Sequence, residues 1–242
     1  SMKKSREVKG KINSIETMGL VDGPGIRFVV FLQGCPLRCK YCHNPETWKV
    51  SDYNVELTPS ELVEKIKRYK NYFGEDGGVT FSGGEPLVQN EFLLECLKLC
   101  RAEKIHTAID TAGSVSNYDE VLDYVDLVIF DIKAYDKTMY KYITGGEITN
   151  SLKFLYTCQK KNKKMWLRTV IVPGINDNKE FILGLKNFIK DLKNIEKVEL
   201  LPYQTLGVEK YRKLNIKYSL DGVEAMDVEE CSKLQKILDE EW

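Results

Sequence analysis

Six short runs of apolar and β-branched residues alternate with longer amphipathic stretches, and this alternation restricts the fold more than any other feature of the chain. The runs are Ile26–Leu32, Gly78–Phe81, Ile105–Ile109, Leu127–Phe130, Met165–Val172 and Val198–Leu201. Nearly continuous apolar character over such short lengths predicts strands covered on both faces. Helical spacing predicts helices over Pro59–Tyr72, Asn90–Ala102, Asn117–Tyr124, Asp136–Ile143, Ser151–Gln159, Asn178–Leu192 and Ala225–Glu240. Strands each followed by a helix imply an α/β fold: a parallel sheet with right-handed crossovers. Six such units leave two architectures open, a doubly wound open sheet or a curved, incomplete barrel. A closed barrel requires eight. No repeat, low-complexity tract or Pro/Gly/Ser linker interrupts the pattern, so one domain over residues 1–242 is expected.

Composition excludes several functions. The 36 Lys and Arg balance 36 Asp and Glu. A chain without cationic excess is a poor partner for nucleic acid or an anionic membrane. At 43% hydrophobic and 30% charged residues, it is not disordered. No apolar run approaches the ~18 residues of a membrane span. The start Ser1-Met2-Lys3-Lys4-Ser5 lacks a secretory apolar stretch, which predicts a cytoplasmic protein. Ser1 reads as a cloning remnant. Seven cysteines, an odd number in a reducing compartment, argue against a disulfide framework.

The informative segment is Gly34-Cys35-Pro36-Leu37-Arg38-Cys39-Lys40-Tyr41-Cys42-His43-Asn44, just past the first long strand. That end of a strand is where α/β folds place their sites. Cys35, Cys39 and Cys42 have the spacing C-x₃-C-x₂-C on a loop. Four readings compete there. The cysteines are structural, or they bind zinc together with His43, although the usual second knuckle is missing. Alternatively Cys39-Lys40-Tyr41-Cys42-His43 attaches haem, or three thiolates hold a [4Fe–4S] cluster. Such clusters normally take four cysteines, so a three-thiolate cluster leaves one iron open to substrate.

The loop resembles the signature of the radical S-adenosylmethionine (SAM) superfamily. In that family, SAM chelates the open iron through its amino and carboxylate groups. One electron then cleaves it to methionine and a 5′-deoxyadenosyl radical. Polar residues at later strand ends extend the likeness. Ser82-Gly83-Gly84-Glu85-Pro86 is similar to the family's GGE turn, whose glycines permit close backbone approach. The next strands end in Asp110-Thr111 and Asp131-Ile132-Lys133. An Asp there is either a cap of the following helix or a ligand group. Arg168 interrupts the run Met165–Val172 and requires a carboxylate partner, from the protein or from SAM.

Asp22-Gly23-Pro24-Gly25-Ile26-Arg27-Phe28 resembles the glycyl-radical-enzyme activases within that superfamily. So do Cys42-His43-Asn44-Pro45-Glu46-Thr47-Trp48, Val172-Pro173-Gly174 and Leu200-Leu201-Pro202-Tyr203. The resemblance runs from about residue 8 to about 240 and implies a partial (β/α)₆ barrel. No cysteine lies between Cys42 and Cys96, so the ferredoxin-like insert of many activases is not expected. This short form implies pyruvate formate-lyase as partner, reduced flavodoxin or ferredoxin as electron donor, and a monomer. By the same resemblance Cys35, Cys39 and Cys42 ligate the cluster, and Tyr41 and His43 flank the adenine. Gly83, Gly84 and Glu85 line the methionyl end, and Asp110, Asp131, Ile132, Lys133, Arg168 and Gln204 hold the remainder of SAM. Asp110, Thr111 and Asp131 are placed at a monovalent cation, and Asp22 at the partner's glycine loop. The family usually has His where this chain has Gln204. Gln keeps hydrogen bonding but cannot relay a proton at neutral pH.

Cys96, Cys100, Cys158 and Cys231 are expected as buried packing residues on helices. His106, opening a strand, is expected to be structural. The run Lys160-Lys161-Asn162-Lys163-Lys164 is expected at a helix C-terminus, where cations suit the dipole.

Overall fold

The first strand expected from sequence, β2 (Arg27–Leu32), is buried along most of its length, Arg27 included. A computed structural model describes residues 7–240; the Ser1–Ser5 start lies outside them. The other five expected strands are present as β4 (Gly78–Gly83), β5 (His106–Thr111), β6 (Leu127–Asp131), β7 (Met165–Ile171) and β8 (Ile195–Pro202). Two more were not expected, β1 (Gly10–Gly19) and β3 (Val55–Leu57). Among the described residues the sheet has eight strands in the order β3-β1-β2-β4-β5-β6-β7-β8. It is therefore mostly parallel, and β1 pairs antiparallel with both β2 and β3. The alternating succession expected of a partial (β/α)₆ barrel is present, with an antiparallel pair added at one edge. β1 escaped notice because its burial alternates and its residues are largely polar. β3 has three residues, too few for any periodicity.

Helices α1 (Pro59–Lys67), α2 (Asn90–Ala102), α3 (Asp119–Asp123), α4 (Lys137–Thr144), α5 (Thr149–Lys160) and α6 (Lys179–Ile189) fill the expected places. So does α8 (Val228–Asp239), while α7 (Val208–Lys213) was not expected. α1 begins as the sequence requires: Thr58 and Glu61 form a capping box and Pro59 occupies the first turn. It stops five residues short of Tyr72, which closes a separate 3₁₀ turn, Lys70–Tyr72. The turn leaves the Tyr69 ring 5.5 Å from Phe28.

The described residues divide into two compact units, 7–35, 47–111 and 115–129 in one and 36–46, 112–114 and 130–240 in the other. In the first, α2 buries Phe92, Leu93, Cys96, Leu97 and Cys100, one stripe at helical spacing. Arg27 is held by backbone: it donates to the carbonyls of Pro24, Asp76 and Val79 and to Thr80 Oγ1. Gly25 (φ +66°) permits this, since a Cβ there would lie 2.5 Å from the Gly77 nitrogen.

In the second unit, Met165, Leu167 and Ile171 of β7 are fully buried. α5 ends at Lys160 with Lys161 as its C-cap, as the lysine run implied. The outer edge of β8 is covered by α8. The Gln235 amide accepts from Leu200 N–H at 2.7 Å and donates to Val198 O at 3.0 Å, the two bonds a further strand would supply. Among the described residues no helix is long and apolar enough to cross a membrane.

Candidate active site

The cysteine loop begins where β2 ends, and its first limb is tied down by backbone alone. Gly34 N–H donates to Thr47 O at 2.6 Å and Cys35 N–H to Trp48 O at 3.1 Å. The turn after β4 then docks on the same limb: Gly84 N–H donates to Leu32 O (3.2 Å) and Glu85 N–H to Gly34 O (2.8 Å). This contact explains the glycine pair. A Cβ on Gly83, at φ +132°, would lie 2.1 Å from Leu32 O, and one on Gly84 would lie 2.3 Å from Gly34 O. The Glu85 carboxylate is buried, receiving Leu87 N–H at 3.1 Å and the Thr111 hydroxyl at 2.7 Å. It shapes the turn and anchors the end of β5. Ser82 Oγ donates to the partly exposed Asp110 at 3.5 Å. Asp22 lies before β2, with Thr80 Oγ1 donating to its carbonyl at 2.6 Å. Thr80 lies level with Val29, inside β2, and Cys35 follows the C-terminal end of that strand.

The second limb belongs to the other unit. Arg38 N–H donates to Thr144 O and Lys40 N–H to Ile143 O, both at 2.9 Å, which seats the loop on the end of α4. Cys39 and Tyr41 point inward, while Cys42 and His43 are half-buried. Burial pushes the Cys39 thiol up to about 11, with Lys133 opposing the shift. The Lys133 ammonium stands 5.3 Å from the Tyr41 ring centroid. The His43 ring stacks on Tyr203 at 6.3 Å. Burial, then Lys210 and Lys133, hold its pKa below the ordinary value.

Asp110 and Asp131 are not helix caps, since α3 is preceded by Tyr118 and α4 is capped by Asp136. Ile132 N–H donates to Arg168 O at 2.8 Å, joining the end of β6 to β7. The partner required by Arg168 is protein-borne: Glu199, opposite it on β8, lies 3.2 Å away, and Lys197 is 3.3 Å from the same carboxylate. Sequence reading missed Glu199 because only the parallel register of β7 and β8 brings it to Arg168. Gln204 is half-buried in the turn between β8 and α7. Cys96, Cys100 and Cys158 are fully buried and Cys231 nearly so, as expected.

Residues 29–184 match the model of the radical SAM superfamily. A pyruvate formate-lyase-activating enzyme of Clostridium pasteurianum is 56% identical over 96% of this chain and 98% of its own length. The chain belongs to the radical SAM superfamily, in its pyruvate formate-lyase-activating enzyme family. The Staphylococcus epidermidis enzyme of that name is 46% identical over 92% of both chains. A crystallised domain of pyruvate-formate lyase-activating enzyme from Bacteroides vulgatus aligns at TM-score 0.55 and 27% identity, covering 67% of this chain and 92% of that one. Streptococcus suis SuiB, bound to its precursor peptide, has the same fold at TM-score 0.67 and 18% identity, over 92% of this chain and 46% of SuiB.

Radical SAM proteins of this family use a [4Fe–4S] cluster and S-adenosylmethionine, which displaces the zinc and haem readings of the cysteine loop. The residues present fit the cluster. Cys35, Cys39 and Cys42 are thiols outside any disulfide, on one loop whose backbone is held at both limbs. Among the described residues no three His, Cys, Asp or Glu side chains are arranged to hold a single ion. A cluster of several irons would not require the three thiolates to converge on one ion.

Proposed function

We propose that this chain activates pyruvate formate-lyase by removing a Cα hydrogen from one of its glycines. The observation that carries the reading is a three-thiol loop at the end of β2 in a chain matching pyruvate formate-lyase-activating enzymes along nearly their whole length. When bound, the cluster and SAM would supply the one-electron chemistry, giving methionine and a 5′-deoxyadenosyl radical able to take the glycine hydrogen. The product radical suits glycine, which has no side chain opposing planarity.

The protein's own task is to bind, orient and exclude water and O₂. Cys35, Cys39 and Cys42 would hold the cluster. Tyr41 and His43 border the adenine, and the backbone of Gly83, Gly84 and Glu85 borders the methionyl group. The Glu85 carboxylate itself is occupied by Thr111 and Leu87, so its contribution is the shape of the turn. Asp110, Asp131, Ile132, Lys133, Arg168 and Gln204 serve the remaining polar groups, with Arg168 held by Glu199. Asp110, Thr111 and Asp131 hold a monovalent cation, and Asp22 meets the partner's glycine loop. Reduced flavodoxin or ferredoxin supplies the electron, and the enzyme acts as a cytoplasmic monomer. Residues 1–242 form a single radical SAM domain without a ferredoxin-like insert. The chain crosses between the two compact units five times, at 35/36, 46/47, 111/112, 114/115 and 129/130, the last inside β6.

The test is anaerobic. The reconstituted protein, reductant, SAM and pyruvate formate-lyase should together give a glycyl electron-spin-resonance doublet on the lyase and equimolar 5′-deoxyadenosine. Cys39→Ala should abolish both. A doublet of equal size with Cys39→Ala, or none with the wild type, would overturn the reading.

A further inference from the structure

We propose that α7 is a positioning element for the second limb of the cysteine loop, in which Tyr211 fixes the backbone of Cys42 and Lys210 fixes Asn44 and Glu46. The inference rests on the reading of Cys42 as a cluster ligand. Tyr211 is 3% exposed, and its hydroxyl donates to Cys42 O at 2.7 Å. Cys42 N–H already donates to Cys39 O at 3.1 Å. The peptide planes on both sides of the Cys42 Cα are thereby fixed, which fixes the direction of its Cα–Cβ bond and limits where Sγ can reach. Two residues on, Lys210 Nζ lies 3.0 Å from Asn44 Oδ1 and 2.8 Å from Glu46 Oε1.

The strap is itself anchored. The Tyr211 ring packs on Tyr218 with centroids 4.7 Å apart. The Tyr218 hydroxyl bonds that of Tyr203, and Tyr203 N–H donates to Ile171 O at the end of β7 at 3.0 Å. The approach is close enough to demand glycine at position 207, where a Cβ would stand 2.9 Å from the His43 Cα. Glycine and the aromatic brace together reference Cys42 to the ends of β7 and β8. Groups that orient a ligand in this way set metal affinity, and hydrogen bonds near an iron–sulfur cluster help set its potential. Loss of the Tyr211 hydroxyl leaves the Cys42 carbonyl dipole uncompensated, which disfavours adding an electron nearby.

The experiment uses full-length Tyr211→Phe and Lys210→Met, reconstituted anaerobically without SAM. Iron release to a chelator, the midpoint potential of the cluster and the melting temperature of the apoprotein are measured. We expect iron release about tenfold faster or more in each variant, as for other residues that orient metal ligands. Tyr211→Phe should also have a lower midpoint, and the apoproteins should melt close to wild type. Wild-type release and midpoint in both variants would overturn the proposal. So would changes that only track a lowered apoprotein melting temperature, which is what a purely structural role gives. If Tyr211→Phe does not fold, Lys210→Met, whose side chain is 44% exposed, decides on iron release alone. Cys42→Ala separates the two levels: a full complement of four irons in that variant would refute Cys42 as a ligand, independently of what α7 does.

Discussion

At the residue scale, the glycine pair shows how a motif's chemistry differs from its first reading. Gly83 and Gly84 were expected at SAM, and their backbone has that place in the proposed function. Their missing side chains have a more immediate cause, the closeness of Leu32 O and Gly34 O. Gly83→Ala should therefore cost at least about 2–3 kcal/mol, from positive φ and steric overlap together. Gly74→Ala, at φ +57° with nothing within 4 Å of its Cβ, should cost no more than about 1–2 kcal/mol. Urea midpoints of the two variants check the difference. The cysteines divide in the same way. In the apoprotein Cys35 and Cys42, half-buried, should be alkylated under native conditions. Cys96, Cys100 and Cys158, at 0% exposure, should react only after denaturation, as mass spectrometry would reveal.

Those buried thiols also carry a pH dependence. Burial pushes Cys100 and Cys158 from 9.0 up to about 12. Above about pH 9 the unfolded chain releases protons that the folded chain keeps, so the unfolded state binds fewer. Stability is then full below pH 9 and falls as pH rises toward 12, by about one kcal/mol per pH unit for each thiol. Urea unfolding of the reduced apoprotein at pH 8 and pH 10 should show the fall, and Cys100→Ala should reduce it, leaving the share of Cys158.

At the scale of elements, Gln235 shows how the sheet is terminated. One side-chain amide on α8 takes both the donor and the acceptor of the β8 edge, and this side chain stands in for a strand. Gln235→Leu fills similar space and pairs neither group, so it should destabilise by about 1–3 kcal/mol. Gln235→Glu keeps the acceptor for Leu200 N–H but sets a carboxylate oxygen against Val198 O, and should destabilise as well. Chemical denaturation orders the three proteins. α1 was readable at its start, where Thr58, Pro59 and Glu61 act on neighbouring backbone. Its end was not, because helical spacing continues through Tyr69 while the chain turns to place that ring on Phe28. α7 is six residues long, shorter than two turns, and left no periodic signal.

At the scale of the molecule, neither of the two compact units is one continuous stretch of chain. Calorimetry of the apoprotein should accordingly give a single transition, with calorimetric and van't Hoff enthalpies agreeing. Two resolved transitions would show that the units unfold separately.

The sequence by itself determined the six parallel strands, the helices between them, the cysteine loop and its family likeness, and the four packing cysteines. All of these depend on periodicity or on spacing along a short segment. Tertiary structure decided what depends on distant pairs. It added β1 and β3 as an antiparallel edge, gave Arg168 its carboxylate through the β7–β8 register, and turned Glu85 toward Thr111. It also placed Tyr211, 169 residues away in sequence, on the carbonyl of Cys42. A local pattern records the conformation of its own backbone. Which polar group meets which across the fold is fixed only when the chain has packed.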